Sequence, residues 1–345
     1  MPGCRRFLVA GALTLAVLGG TTGTGIADEA DRGKTSSFTK VFSFTDGRIT
    51  ESSGLVDAGA LMFTVNDSGD GPVVYVVDKT SGDTVGVTTY SSDDVSDVEA
   101  IAPGPDGTVW VGDIGDNDMD RTSVDLYAVP RPGRGNAEVG ATRFRLIYPD
   151  AAQDAEALLV HPRTGRVYVV SKAILGGVVY AAPPSLEPGS VNRLSAIGHV
   201  PGLVTDGAFF PDGNHVLLRS YGSARVYTFP GLREVGEVDM PAQEQGEAVA
   251  IGRSGRIYVS TEGEFSDVTR VELPVGLRAS IDSGQDARAD TDTGNATTNE
   301  PPSRNSVVSS TGIEDGVWLV GGSVALVATG LAMLTVSRRR SRRRL

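Results

Sequence analysis

Five short acidic phrases decide the fold of this chain: Glu51-Ser-Ser-Gly-Leu55, Glu99-Ala-Ile101, Glu156-Ala-Leu158, Asp206-Gly-Ala208 and Glu247-Ala-Val249. Successive acids are 48, 57, 50 and 41 residues apart. About 13 to 16 residues after each acid, a second apolar run ends in a further polar group. These ends are Asn66-Asp67, Asp113, Lys172, Arg219 and Glu262. A repeat of nearly fifty residues built from short strands is typical of a β-propeller, in which each repeat forms one blade.

Short β-branched runs separated by Gly, Asp and Pro turns continue from about residue 38 to 275. In the first repeat they include 61–66, 73–78 and 84–90, and each has the pattern of a half-buried antiparallel strand. The third repeat ends in one long run, predicted as a single strand over Val191–Val200. The first four repeats have four runs each, but the last has only three.

An unpaired run, Thr39-Lys-Val-Phe-Ser-Phe-Thr45, precedes the first repeat. We therefore predict an all-β propeller of four-stranded blades, in which this N-terminal strand completes the last blade and closes the ring. The count of runs favours five blades. Six remain possible if the stretch between Lys172 and Thr205 contains a weak unit.

The two ends of the chain carry export and anchoring signals. Residues 1–27 have two arginines, an apolar run and then small residues, which predicts a signal peptide. Residues 28–37 form a short segment before the propeller at 38–275, and the polar composition of 276–316 predicts a disordered stalk. Residues 317–336 carry no charge and are long enough for a transmembrane helix, and six arginines in 337–345 predict a cytoplasmic tail. We therefore expect an exported single-pass membrane protein whose propeller lies outside the cell.

Charge narrows the class of partner. Eight of the 31 basic residues and none of the 43 acidic residues lie in 1–27 and 317–345, so residues 28–316 carry a net charge near −20. Such a surface lacks the Lys and Arg patches that contact phosphates, which argues against nucleic-acid binding. The negative electrostatic potential of this surface favours cations and basic partners over nucleic acid. The natural partner, an extracellular ligand or protein, is not named by the sequence.

The first strand of each propeller blade lines the central channel, so the repeated acids and the polar ends of the second strands should converge there. Such like charges need compensation, which Lys172, Arg219 or a hard cation such as calcium could supply. Alternatively, each acid only accepts hydrogen bonds from backbone amides of the next blade. The candidate binding residues are Glu51, Asp67, Glu99, Asp113, Glu156, Lys172, Asp206, Arg219, Glu247 and Glu262.

The densest acidic stretch, Asp113 to Asp120, offers a second candidate for calcium. Asp116, Asp118 and Asp120 have the spacing of the first ligands of an EF-hand. The glycine expected next is Arg121, however, and the twelfth position holds no glutamate, so an EF-hand is rejected. A looser calcium loop of Asp113, Asp116, Asp118 and Asp120 is one interpretation, and a polar surface loop is the other.

Several phrases resemble those of an uncharacterised family of exported bacterial propellers, common in actinobacteria and often labelled WD-repeat-like: Val65-Asn-Asp-Ser-Gly69, Gly112-Asp-Ile-Gly-Asp-Asn117, Asp154-Ala-Glu-Ala-Leu158, Thr205-Asp-Gly207 and Gln245-Gly-Glu-Ala248. The chain is also distantly similar to phytase-like esterase and gluconolactonase-type propellers. The distant similarity implies a divalent cation in the channel, but it names no substrate.

Two functions follow as hypotheses. The first is a membrane-anchored extracellular module that binds a ligand or partner, with calcium as a possible cofactor. The second is a metal-dependent hydrolase of ester or phosphoester substrates that uses the channel carboxylates. The sequence has no Gly-x-Ser-x-Gly motif and its only cysteine is Cys4, so nucleophilic catalysis finds little support. Whether the protein is an enzyme stays open at this point.

Overall fold

The computed structural model describes residues 35–67, 69–92 and 95–284, which contain 22 strands and one α-helix. The first ten strands are β1 (Ser37–Ser43), β2 (Ser52–Ala58), β3 (Leu61–Asn66), β4 (Val73–Asp78), β5 (Thr84–Tyr90), β6 (Val98–Pro103), β7 (Val109–Asp113), β8 (Val124–Val129), β9 (Ala137–Val139) and β10 (Thr142–Ile147). The others are β11 (Ala155–Val160), β12 (Val167–Ser171), β13 (Gly177–Ala181), β14 (Val191–Arg193), β15 (Ser195–Val200), β16 (Asp206–Phe209), β17 (His215–Arg219), β18 (Ser223–Thr228), β19 (Glu234–Asp239), β20 (Gly246–Ile251), β21 (Ile257–Thr261) and β22 (Asp267–Glu272). A 3-10 turn covers Pro105–Gly107, and helix α1 covers Val275–Ser283.

These strands form five sheets, each with four antiparallel strands at its centre, which are the five blades of a β-propeller. Blade one is built on β2 to β5, blade two on β6, β7, β8 and β10, and blade three on β11, β12, β13 and β15. Blade four is β16 to β19. The first strand of every blade contacts the first strands of both neighbouring blades, so these five strands form the innermost ring. The prediction of five blades is confirmed, and the stretch between Lys172 and Thr205 holds no sixth.

The N-terminal strand closes the ring, as predicted. Blade five has the order β20, β21, β22 and β1, and β1 pairs antiparallel with β22 over the length of both strands. Phe42 of β1 is buried in an apolar cluster that lies between blades five and one. The first and last parts of the propeller are therefore joined by backbone hydrogen bonds and by core packing.

Two short strands correct the sequence prediction. The run expected as one strand over Val191–Val200 is divided at Leu194, which is buried. Its first part, β14, pairs in parallel with β10 of blade two, whereas β15 completes blade three. Strand β9 extends blade one in the same way by pairing in parallel with β5. The outer edges of blades one and two are thus covered by segments from the following blade, which protects them from pairing with other chains.

The hydrophobic core is divided among the seams between blades. Five apolar clusters occur, and each draws its side chains from two neighbouring blades. Helix α1 adds the buried Ile281 and the partly buried Leu277 to the cluster between blades four and five. Helix α1 therefore covers the first residues of the segment predicted as a stalk, because this i, i+4 apolar pair gives the helix a face to bury.

None of the helices among the described residues is long and apolar enough to cross a membrane. The predicted signal peptide at 1–27, the predicted transmembrane helix at 317–336 and the tail at 337–345 lie outside the described residues.

Candidate functional site

The strand registers show which residues of the five blades are equivalent. Near its start, each inner strand has a glycine or alanine. The residue immediately before that glycine or alanine is the repeated position of the blade, and in blades one to five it is Ser53, Glu99, Glu156, Asp206 and Glu247. Blade one therefore presents Ser53 at the repeated position. Glu51 lies two residues earlier, where its carbonyl accepts from the Asp67 amide. The residues that match Glu51 are Asp97, Asp154 and Gln245, whose carbonyls accept equivalent bonds.

Three acids from blades one and two converge at the mouth of the channel. A carboxylate oxygen from each of Asp67, Asp97 and Glu99 lies within 4.8 Å of one from each of the others. Asp67 follows the second strand of blade one, whereas Asp97 immediately precedes the first strand of blade two and Glu99 is the second residue of that strand. Adjacent blades thus bring together two residues that the sequence singled out and a third, Asp97, that it did not.

Within the described residues, no group donates a hydrogen bond to the Glu99 carboxylate, although only 2% of this residue is exposed. Burial raises its pKa well above the ordinary value, and the carboxylates of Glu156, Asp67 and Asp97 raise the pKa further. Burial likewise raises the pKa of Asp97 to about 6, helped by Asp67 and Asp154. A buried carboxylate without donors is costly unless it is protonated or meets a cation.

Gly115 forms one wall of this acid trio, which we define as Asp67, Asp97 and Glu99. A Cβ atom on Gly115 would lie 2.5 Å from both Asp97 Oδ2 and Glu99 Oε1. The loop that carries Gly115 is held by Arg121, whose guanidinium donates to the Gly115 carbonyl at 2.7 Å and pairs with Asp113 at 2.9 Å. Only glycine leaves room for both carboxylate oxygens at this point.

Lys172 places a positive charge next to the trio. Its ammonium contacts Glu156 Oε1 at 2.5 Å and lies 5.4 Å from the centre of the Tyr221 ring. Although burial disfavours its charge, the Glu156 carboxylate raises the pKa of Lys172, so the lysine stays protonated. The same ammonium lowers the pKa of Glu99 and Glu247. Burial raises the pKa of Glu156 as well, although the Lys172 ammonium lowers it, so this pair adds no negative charge to the channel.

A second acidic sector comes from blade five. Gln245 Nε2 donates to Glu247 Oε1 at 3.2 Å and to Glu262 Oε1 at 2.6 Å. Glu247 Oε2 is buried and has no hydrogen-bond partner within the described residues. Burial raises the pKa of Glu247 to about 7 and that of Glu262 to about 7. We call Gln245, Glu247 and Glu262 the blade-five sector.

Blade four departs from the pattern, because Asp206 and Arg219 are both structural. The Asp206 carboxylate accepts 2.7 Å bonds from the amides of Gly207 and Val249, the second of which belongs to blade five. Arg219 is fully buried and donates to the carbonyls of Ala248 and Ser260. Burial lowers its pKa to about 10. For Asp206, the alternative interpretation therefore holds: this acid accepts a hydrogen bond from a backbone amide of the next blade.

The loop acids of blade two are used to shape their own loop. Asp113 accepts bonds from the amides of Ser96 and Asp97, and Asp116 accepts from those of Asp120 and Arg121. Asp118 and Asp120 are exposed. Among the described residues, these four acids do not form a group with metal-binding spacing. The predicted calcium loop thus helps to hold Asp97 of the acid trio, and Gly115 beside the trio, in position.

Sequence reasoning missed Asp97, Gly115, Gln245 and Tyr221. The sequence contains a signal for Asp97 and Gln245. A polar residue lies two positions before the repeated acid in Asp97-Val-Glu99, Asp154-Ala-Glu156 and Gln245-Gly-Glu247. Glu51 belongs with these polar residues, which lie two positions before the repeated acid, and not with the repeated acids themselves.

Comparison with known proteins adds little beyond the fold. No family model and no curated protein matches the chain. Among solved structures, the chain is similar to one titled "Streptogramin B lyase structure", with a TM-score of 0.40, 10% sequence identity and coverage of 69% of this chain and 98% of that one. A likeness of that size carries no argument about ligand or activity. Thus the resemblance drawn from the sequence is supported only as far as a β-propeller, and the narrower family labels stay predictions.

Proposed function

We propose that this propeller is an extracellular, membrane-anchored binding module whose acid trio holds a divalent cation, with calcium as the favoured ion. The observation that carries the proposal is the convergence of Asp67, Asp97 and Glu99 around a buried carboxylate that receives no hydrogen bond within the described residues. A cation bound there would favour the charged form of all three carboxylates.

The donor set suits calcium. All three ligands are carboxylates, and calcium takes six to eight oxygen ligands in flexible geometry. Three carboxylates supply between three and six of these oxygens, so positions remain for water or for oxygen atoms of a ligand. Gly115 has no Cβ to displace the carboxylate oxygens of Asp97 and Glu99 from their positions.

Calcium titration of the purified full-length chain tests this proposal. We expect one calcium per chain in isothermal titration calorimetry. Asp97→Asn should weaken binding by about 10-fold or more, since it removes one charged ligand. The matched control is Asp118→Asn, which changes an exposed acid of the same region and should bind like the wild type. Calcium at 100 times its Kd should also stabilise the fold by about 2.7 kcal/mol. Absence of both heat and stabilisation contradicts the cation site.

The anchoring part of the proposal rests on residues 1–27 and 317–345 and has its own test. We expect the full chain to stay with cell membranes after a high-pH wash. A chain that ends at residue 316 should be released into the medium. Recovery of both forms from the soluble interior of the cell would contradict export and anchoring.

The hydrolase hypothesis is favoured by one observation, the protonated Lys172 beside the acids, since an ammonium can stabilise an oxyanion that develops on a bound ester. A cleft of about 220 Å³ opens elsewhere, however, between Trp110, Phe144 and Pro184 on the side of blades two and three. Turnover of ester and phosphoester substrates in calcium, lost in Lys172→Met, would support the enzyme. Equal background rates for both chains would exclude it.

A further inference from the structure

We infer that the channel mouth and its rim bind a polypeptide segment that carries a basic residue between apolar ones. This inference rests on the proposed function, because the same mouth is used. It adds the chemistry of the partner and a second group of contact residues.

The loops that join the second and third strands of the blades form the rim. Asp67, Lys172 and Glu262 are the first residues of three such loops, directly after β3, β12 and β21. Because the second strands all end beside the starts of the first strands, these loops share one face of the propeller with the acid trio and the blade-five sector.

Exposed apolar side chains are concentrated on this rim. Four of the eight large apolar side chains that are exposed in the described residues lie on these loops. Ile174 and Leu175 follow Lys172, and Leu175 is 99% exposed. Phe265 is 54% exposed and lies three residues after Glu262, and Met119 occupies the equivalent loop of blade two. Apolar side chains gathered around a polar centre are typical of a protein-binding surface.

Two of these exposed side chains belong to residues in a strained backbone conformation. Met119 and Phe265 have φ values of 53° and 59°, in the left-handed region that large residues rarely adopt. Hydrogen bonds across the turns maintain this conformation, from Met119 N to Asp116 O at 2.8 Å and from Ser266 N to Gly263 O at 3.3 Å. Residues kept in such conformations are often contact residues.

The charge of the mouth determines which partner fits. Glu247 Oε2 is buried without a partner among the described residues, and Glu262 lies beside it across Gln245. A lysine or arginine from a partner would supply the missing donor and compensate the sector. The acids would repel nucleic acid and the anionic surface of a membrane. Apolar residues on either side of that basic residue would cover Leu175 and Phe265, so a polypeptide meets both requirements.

Model peptides test the inference directly. The probe is a blocked, fluorescently labelled peptide, Ser-Gly-Leu-Leu-Lys-Leu-Leu-Gly-Ser, whose binding to the full-length chain is followed by anisotropy. We expect saturable binding, weakened about 10-fold or more when the lysine becomes glutamine or the leucines become serines. The protein variants Glu247→Gln and Leu175→Ser should each weaken binding of the parent peptide by a similar factor.

The control variant is Val191→Ser, which alters an exposed apolar residue of β14 on the outer edge of blade two and should bind the parent peptide like the wild type. Circular dichroism of each variant separates lost contacts from lost folding. Titrations in excess chelator and in excess calcium separate the two proposals. If calcium binds but the parent peptide does not, at up to about 1 mM, the inference is overturned and the cation site stands. Equal binding of the lysine and glutamine peptides also overturns it.

Discussion

Glu99 and Asp206 start the inner strands of blades two and four at equivalent positions, yet their carboxylates meet different surroundings. Two amides satisfy Asp206 and use it to join blade four to blade five. Glu99 receives no such bond within the described residues and instead faces two further acids. Equivalent positions on the inner strands therefore hold one acid that joins two blades and one that belongs to the acid trio.

Gly115→Ala tests whether the acid trio needs the space beside it. The new Cβ would lie 2.5 Å from Asp97 Oδ2 and Glu99 Oε1, so one carboxylate or the loop must move. We expect calcium affinity to fall about 10-fold or more, because the displaced carboxylates would no longer meet at one point. Gly140→Ala is the control, because no atom lies within 4 Å of its added Cβ. Unchanged calcium affinity in Gly115→Ala would show that the trio is not the binding site.

Glu247→Gln tests the protonation of the blade-five sector. Burial raises the pKa of Glu247 to about 7, whereas an unfolded glutamate has a pKa of about 4.3. The folded chain therefore binds an extra proton between these values, and its free energy of unfolding falls as the pH rises through this window. The slope contributed by one such group is at most about 1.4 kcal/mol per pH unit.

In chelator, Glu247→Gln should be more stable than the wild type at pH 8 and should show a shallower decline between pH 5 and 7. Urea denaturation at a series of pH values measures both effects. Glu237→Gln, which changes an exposed glutamate of blade four, should keep the wild-type slope. A Glu247→Gln chain whose slope equals that of the wild type would contradict the raised pKa.

At the scale of single elements, alternation of apolar residues was enough to predict most strands. The predicted runs 61–66, 73–78 and 84–90 have the bounds of β3, β4 and β5. In contrast, β9 and β14 each pair with a different blade, and local patterns contain no information about such distant partners. The acid trio was predictable only in part for the same reason, since Asp67 reaches Asp97 and Glu99 across a seam between blades.

Strand β1 offers a matched pair of substitutions that tests closure of the ring. Phe42 is 5% exposed and packs between blades five and one, whereas Phe38 on the same strand is 41% exposed. Phe42→Ala should lower the free energy of unfolding by about 3 to 5 kcal/mol because it leaves a cavity in that seam. Phe38→Ala should cost less than about 1 kcal/mol. Equal costs in urea denaturation would mean that β1 does not close the ring.

At the scale of the whole molecule, five apolar seams share the stability and each blade depends on both of its neighbours. A closed ring has no terminal blade that can open alone. A substitution that weakens one seam should therefore lower the stability of the blades on the opposite side of the propeller as well. Arg219 allows this expectation to be tested, because its guanidinium donates from blade four to the carbonyls of Ala248 and Ser260 in blade five.

Arg219→Met leaves those buried carbonyls without their donor and should cost about 2 to 4 kcal/mol. Trp110 reports on blade two, and with Trp318→Phe as the common background it is the only tryptophan. If the ring unfolds as a unit, the urea midpoint seen by Trp110 fluorescence should fall together with that seen by circular dichroism. Arg225→Met, which removes longer ion pairs to Glu234 and Glu237, should leave both midpoints nearly unchanged. A fluorescence midpoint that stays at the wild-type value in Arg219→Met would show that the blades unfold separately.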